Sequence, residues 1–517
     1  MKGNAMIDSD TLWGLVEERA RLTPDGQMLV DEGGRTMTFG QFKDAAERAA
    51  AGLAGLGVGA GDRVSWQLPT WIESVVLVAA LSRLGVVQNP VLPLYRQKEL
   101  GFVIRQTQAK LLIVPSEWRG VDFKAMAEGI VEGTDTKVVT ADRKLPDGDP
   151  AALPPPPGAG DSGAGDEVRW LFYTSGTTAD PKGAQHTDRT ILAAARAMCE
   201  RLAVTADDRS DLVFPFTHIG GICWLYAGLL TACTNVLVEA FDPAATVDIA
   251  QREGITLLGK GTFFHQAYLA AQRQQGEGGK PLFPDLRACP GGGAPKPPQL
   301  HDDVKAELGG VGIVSGYGLT ECPILSMASV TDPDDKLANT EGRATAGVDI
   351  KVVSVEGAVV GPGEEGEIRV KAPQLFKGYL DASLDAAAFD EDGYFRSGDL
   401  GTVDEGGYIV ITGRLKDVII RKGENISAKE LEDLLYEHPK VADVAVVGLP
   451  DPASGERACA VVQSADPADP LTFDEMVTFL EGKGIMKQKL PEQLEFDEIP
   501  RNPAGKVLKH ELRAKYS

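Results

Sequence analysis

At 517 residues the chain is longer than one hydrophobic core normally supports, and its net charge of -23, from 75 acidic against 52 basic side chains, argues against nucleic acid or anionic lipid as its main partner. Hydrophobic residues at 43% and charged residues at 25% exclude a disordered chain. Cys199, Cys223, Cys233, Cys289, Cys322 and Cys459 are scattered without a CxxC pair, which gives neither a zinc site nor a disulfide framework and fits a reducing, cytoplasmic setting.

MKGNAMIDSD at the N-terminus carries acids where a signal peptide needs an apolar run. Thr38 is an N-cap for a helix through TMTFGQFKDAAERAAAGLAGLG, where apolar residues recur at three- and four-residue spacing. DRVSWQL then reads as a strand, WIESVVLVAALSRLG as a largely buried helix and KLLIVP as another strand. The helix is too short to cross a bilayer and stops at Arg83. Such alternation predicts a layered α/β domain with parallel strands. Residues 145–166 are low-complexity and serve either as an interdomain linker or as a surface connection within one large domain.

Trp170 to Tyr173 form the next apolar strand, followed by Thr174, Ser175, Gly176, Thr177 and Thr178, with Lys182 and Gly183 after Pro181. Small hydroxyl residues and glycine let several backbone NH groups face one anion, and a lysine neutralises it. The spacing is not that of a Walker A loop, because the lysine precedes its glycine. On so acidic a chain, a local cluster of donors carries extra weight.

Further on, GEIRVKA and GYIVITG read as short strands in a Gly-rich, antiparallel region. Ser427-Ala428-Lys429-Glu430 has the capping-box spacing and leads into Leu431, Leu434 and Leu435 on one helical face. DVAVVGLP and ACAVVQ read as strands and LTFDEMVTFLEGKG as a helix. The change of pattern places a domain boundary at Gly413 to Lys416, giving domains of residues 1–414 and 415–517.

YTSGTTADPKG resembles the phosphate-loop signature of the adenylate-forming superfamily, which includes acyl-CoA synthetases, firefly-type luciferases and peptide-synthetase adenylation domains. The resemblance covers nearly the whole chain, because further motifs follow in the family's order. It implies a large N-terminal domain of layered α/β subdomains with a β-rich subdomain, and a small, mobile α+β C-terminal domain. It also implies ATP, Mg2+ and coenzyme A as the small molecules bound beside a carboxylic acid.

In PFTHIGG the resemblance makes His218 a wall of the acyl pocket, and in CPGGGAPK it runs the backbone of Gly292, Gly293, Ala294 and Pro295 along adenine and acyl group. SGYGLTE resembles the segment in which Tyr317, between Gly316 and Gly318, stacks on adenine and Thr320 contacts the α-phosphate region. Glu321 would hold magnesium, a cation commonly bound by one carboxylate plus nucleotide phosphates. Asp399 in GYFRSGDLG would accept the ribose hydroxyls, and Arg414 would add a ribose or phosphate contact. Lys416 falls at the family's hinge position, and Gly423 in the loop that borders the pantetheine tunnel. Lys506, in IPRNPAGKVLKHELR, would bridge the substrate carboxylate and the α-phosphate.

A carboxylate is a poor electrophile. Attack on the α-phosphate of ATP makes it a mixed anhydride, and positive charge must bring the two anions together. From Pro215 to Tyr226 there is no acid to pair a substrate ammonium, so an amino acid is disfavoured. IGGICWLYAGLL and GTFFHQ point instead to an apolar pocket for a medium-chain, alicyclic or aryl acid. With no carrier domain after Lys506, the expectation is a free-standing acyl-CoA synthetase, a monomer or homodimer without stable membrane insertion. The alternatives are a stand-alone enzyme that loads a carrier-protein thiol and a catalytically silent nucleotide binder.

Overall fold

The computed structural model describes residues 6–158, 163–174, 181–275, 280–294, 296–421, 424–452, 454–502 and 505–517. A six-stranded sheet runs in the order Gly183–Thr187, Val168–Tyr173, Val87–Pro90, Arg63–Trp66, Leu111–Val114, Lys137–Thr140, parallel except for the first strand. All four residues of Leu111–Val114 are buried, as in a strand covered on both faces. A second sheet pairs Arg209–Leu212, Thr234–Leu237 and Gln27–Asp31 in parallel, with Thr36–Thr38 antiparallel at its edge.

Helix Phe39–Gly55 begins where the sequence puts it: the Thr38 hydroxyl accepts from Gln41 N–H and the Gln41 side chain returns a bond to Thr38 N–H. Helix Ile72–Arg83 is buried on nearly every face. Asp188 ties three distant segments together, its carboxylate accepting from Leu12 N–H at 2.9 Å and from Trp170 Nε1 and the Tyr226 hydroxyl at 2.8 Å each. The low-complexity stretch connects two strands of the same sheet, Lys137–Thr140 and Val168–Tyr173, so it is a connection inside a domain and not a linker between domains. Gly148 packs directly on Ala51 and Gly52, and Arg83 donates to the Pro154 carbonyl at 2.6 Å.

Four antiparallel strands follow: Asp349–Val353, Gly366–Lys371, Phe395–Val403 and Ile409–Arg414. The chain turns over Leu415–Asp417 into a smaller sheet of Val418–Arg421, Glu424–Ser427, Val441–Asp451, Gly455–Ser464 and Gln493–Phe496. The fold is mixed α/β, with a large N-terminal domain and a small C-terminal one. The capping box at Ser427 is only half made. Glu430 N–H reaches the Ser427 hydroxyl at 3.3 Å, but the Glu430 carboxylate pairs with Lys489 at 2.6 Å, and Ser427 donates to the Thr412 carbonyl at 2.7 Å.

Candidate active site

Strands Cys289–Gly292 and Ile313–Tyr317 run parallel, and their C-terminal ends open onto a cleft, where open parallel sheets bind ligands. Gly292 has φ 155°, and a Cβ there would lie 2.7 Å from the Gly316 carbonyl oxygen, so the two strand ends approach as only glycine allows. The cleft has a volume of about 920 Å³, and Gly293, Ala294, Gly316, Tyr317, Gly318, Asp399, Arg414, Lys416 and Lys506 all line it.

Asp399 and Arg414 are register partners across a hairpin, which sets their side chains together. Arg414 Nε lies 2.7 Å from Asp399 Oδ1, and the Tyr317 hydroxyl donates to Asp399 Oδ2 at 2.8 Å. Asp399 is only 2% exposed. Burial, followed by the adjacent carboxylate, drives the Tyr317 phenol well above its ordinary pKa, so it stays a donor. The lysine that ends CPGGGAPK does other work: Lys296 Nζ donates to the Leu337 carbonyl at 2.9 Å and to that of Ala338, satisfying the end of helix Asp334–Asn339.

A second group gathers where Thr174 meets Lys182. Thr174 N–H donates to the Lys182 carbonyl at 3.0 Å, bringing together the two ends of the hydroxyl-rich stretch. Ser175, Gly176, Thr177 and Thr178, like Pro295 and Gly423, lie outside the described residues. Lys182 Nζ sits 5.2 Å from the centre of the Tyr379 ring, and the Tyr379 hydroxyl donates to Glu321 Oε1 at 2.7 Å. The Lys377–Leu380 segment reaches there because it is laced to Gly183 and Gln185: Lys377 N–H donates to Gln185 O at 2.8 Å and Leu380 N–H to Gly183 O at 2.7 Å.

Glu321 is 8% exposed, and its carboxylate accepts from a neutral phenol. A buried carboxylate whose hydrogen-bond donor is a neutral phenol is suited to an oxygen-preferring divalent cation. His186 Nε2 lies 2.8 Å from the Thr320 carbonyl, which can only accept, so the proton is on Nε2. Burial pushes His186 down to about 4, keeping the ring neutral.

His218 caps helix Ile219–Thr231, its Nδ1 accepting from Gly220 N–H at 3.1 Å. Burial, and secondarily the Lys506 charge, push it down to about 4. It lines a small hollow of about 20 Å³ with Tyr95, Tyr173, Ile219 and Thr320. Of IGGICWLYAGLL, only Ile219 borders this hollow; Ile222, Trp224, Leu225 and Leu229 pack into the core. In GTFFHQ only Thr262 lines the cleft, while Phe264 is core. Most of the apolar residues in these two stretches thus belong to the core.

Lys506 comes from the C-terminal domain, yet it lines the same cleft as Tyr317 and Asp399. Burial, with Arg414 adding to it and Asp399 opposing it, lowers Lys506 to about 8. Tyr379 and His186 escaped the sequence reading. Each follows a glycine, Tyr379 directly and His186 by three residues, and only the fold turns them toward Glu321 and Thr320.

Comparison with known proteins follows the same outline. A model for "AMP-binding enzyme" matches residues 16–380 and one for "AMP-binding enzyme C-terminal domain" matches residues 430–506. The chain is 34% identical over 510 residues to a medium-chain fatty-acid–CoA ligase of Escherichia coli (strain K12), spanning 96% of this chain and 89% of that protein. It is 32% identical over 526 residues to a salicyl-AMP ligase / salicyl-S-ArCP synthetase of Mycobacterium tuberculosis (strain ATCC 25618 / H37Rv), spanning 97% and 90%. Its fold matches o-succinylbenzoate coenzyme A synthetase from Bacillus subtilis in complex with ATP and magnesium ion, with a TM-score of 0.82, 27% identity and coverage of 96% and 98%.

Proposed function

Because the chain belongs to the AMP-binding enzyme family, we propose that its cleft and the Glu321 cluster are two sides of one site for ATP and a carboxylic acid. The protein is an AMP-forming acyl-CoA ligase that uses ATP, Mg2+ and coenzyme A. The acid's carboxylate attacks the α-phosphorus and pyrophosphate leaves. The coenzyme A thiol then attacks the carbonyl carbon, and AMP leaves.

Tyr317 and the Gly292–Ala294 backbone take the adenine, and Asp399 with Arg414 takes the ribose. Thr174 and Lys182, with Ser175 to Thr178 between them, receive the β- and γ-phosphates. Glu321 would hold Mg2+, which neutralises phosphate charge when bound. Thr320, fixed through His186, faces the α-phosphate, and neutral His218 walls the acyl end. Lys506 meets the carboxylate and α-phosphate as they approach. The observation that carries this reading is the convergence of Lys506 with Tyr317, Asp399 and Arg414 on one cleft.

We assign residues 1–414 and 415–517 to the two domains, with Lys416 as hinge and Gly423 beside the pantetheine arm. The acid is hydrophobic, a reading supported by Val91, Leu92, Phe172 and Ile219 in the lining of the hollow beside His218, which includes no carboxylate among the described residues. Six buried free cysteines support a cytoplasmic enzyme, and no helix among the described residues is long and apolar enough to cross a membrane. The assembly is taken as a monomer or homodimer.

Purified protein incubated with ATP, Mg2+, coenzyme A and a panel of fatty, alicyclic and aryl acids should release AMP and form a thioester. Absence of acid-dependent AMP across the panel would sink the reading. The resemblance to a salicyl-S-ArCP synthetase favours carrier-protein loading as a second reading. Faster transfer to a carrier-protein thiol than to free coenzyme A would select it.

A further inference from the structure

Lys506 is a flexible side chain near the end of the chain, but its backbone is tied down. Lys506 N–H donates to the Asn502 side-chain oxygen at 2.9 Å, Asn502 N–H donates to the Lys506 carbonyl at 2.9 Å, and Gly505 N–H donates to the Asn502 carbonyl at 2.8 Å. Arg501 pairs across this segment with Val507.

The Arg501 guanidinium then works in two directions. Its Nη2 contacts Asp443 Oδ2 at 2.7 Å and Oδ1 at 2.9 Å, while Nε reaches Oδ2 at 3.2 Å. Its Nη1 donates to the Gly505 carbonyl at 2.8 Å, the peptide immediately before Lys506. Only a planar fork with several fixed donors grips a carboxylate and a carbonyl together in this way. Asp443 lies on strand Val441–Asp451, so the pair staples the Lys506 segment to the sheet of its own domain.

The same carboxylate accepts the Tyr436 hydroxyl, and Tyr436 faces Gln266 of the N-terminal domain. Gly505, at φ +79°, lies against Phe263 of the same helix, Thr262–Arg273, so closely that a Cβ would come within 3.1 Å of the Phe263 Cβ. Arg501, Tyr436, Thr262 and Lys506 all border the nucleotide cleft. The staple and the docking surface therefore meet at one carboxylate.

We propose that Arg501 and Asp443 are positioning residues for adenylation: they hold the Lys506 backbone so that its ammonium enters the cleft when the C-terminal domain docks on Thr262–Arg273. This rests on the reading of Lys506 as the cation of the first half-reaction. A partly buried ion pair is weak evidence for stability by itself, and its worth here lies in geometry. The staple has no part in attack by the thiol, which needs the carbonyl carbon uncovered.

The test separates the half-reactions in Arg501→Met, Arg501→Lys, Asp443→Asn and Lys506→Ala. Acid-dependent ATP–pyrophosphate exchange reads adenylation, and thioester formation from supplied acyl-adenylate reads the second step. Arg501→Met and Asp443→Asn should lower kcat for exchange about 10- to 100-fold, the scale expected of a misplaced catalytic group, with KM for ATP little changed and thioester formation intact. Arg501→Lys should recover part of the loss, because it keeps the charge on Asp443 but not the grip on Gly505. Equal loss in both half-reactions, or full exchange activity in Arg501→Met, overturns the proposal. If Lys506→Ala itself leaves exchange intact, the reading of Lys506 fails first; if Lys506→Ala is blocked while Arg501→Met is not, only the staple fails.

Discussion

Tyr317, Asp399 and Arg414 are held by sheets, whereas Lys506 is held by a turn and an ion pair. Asp399 and Arg414 are fixed opposite each other by the ladder of one hairpin, and Tyr317 comes from a strand of a neighbouring sheet. Their polar atoms are already paired with each other, so on the proposed reading little reorganises when a ribose replaces one contact by another. The Lys506 segment meets the large domain through Phe263 and the walls of the cleft. On the proposed reading the difference teaches a division of labour: parts needed by both half-reactions sit on sheets of the large domain, and the part needed by one comes from the small domain.

Lys506→Ala is the strongest test of that division. Adenylation should fall about 10²- to 10³-fold, as for loss of other transition-state donors, while thioester formation from acyl-adenylate proceeds. Stopped assays of each half-reaction decide it, and parallel loss in both would erase the contrast.

Asp399→Asn should behave in the opposite way. It removes the charge that Arg414 and Tyr317 share, and charge-assisted bonds are roughly twice as strong as neutral ones. Since ATP and the acyl-adenylate carry the same ribose, both half-reactions should weaken by about tenfold, an effect of about 1.4 kcal/mol, seen mainly in KM. A loss confined to adenylation would show that Asp399 does not serve the nucleoside.

The smallest effect is a pH effect. Burial lowers Lys506 to about 8, and on the proposed reading it must carry its proton to draw the two anions together. The kcat/KM of adenylation should be flat below pH 8 and fall as pH rises through about 8, up to tenfold per unit. The thioester step should lack this limb, and Lys506→Arg should move it beyond the accessible range. A descending limb that persists in Lys506→Arg would assign it to another group.

Much of the fold was legible because its signals are local. Thr38 caps its helix through a hydroxyl and a glutamine three residues apart, and Leu111–Val114 is apolar throughout because both sides of its strand are covered. The candidate site was legible as spaced motifs, since glycine, hydroxyl and charge in fixed order reflect backbone chemistry. Less legible was the use of apolar residues: helix Ile219–Thr231 has the composition of a binding pocket, but periodicity does not distinguish a pocket wall from a core wall. The capping box at Ser427 is only half made for a similar reason, because a more distant partner, Lys489, competes for the Glu430 carboxylate.

The sequence alone determined many of the strand and helix segments, the hydroxyl-rich stretch after Tyr173 and the charges set along the chain, because these depend on residue type and short spacing. Only the tertiary structure decided that Tyr379 reaches Glu321, that His186 holds Thr320, and that Asp443 steadies Lys506 through Arg501. Those partners lie 58, 134 and 58 residues apart, and what joins them is the closing of sheets and the docking of one domain on another, which no local pattern encodes.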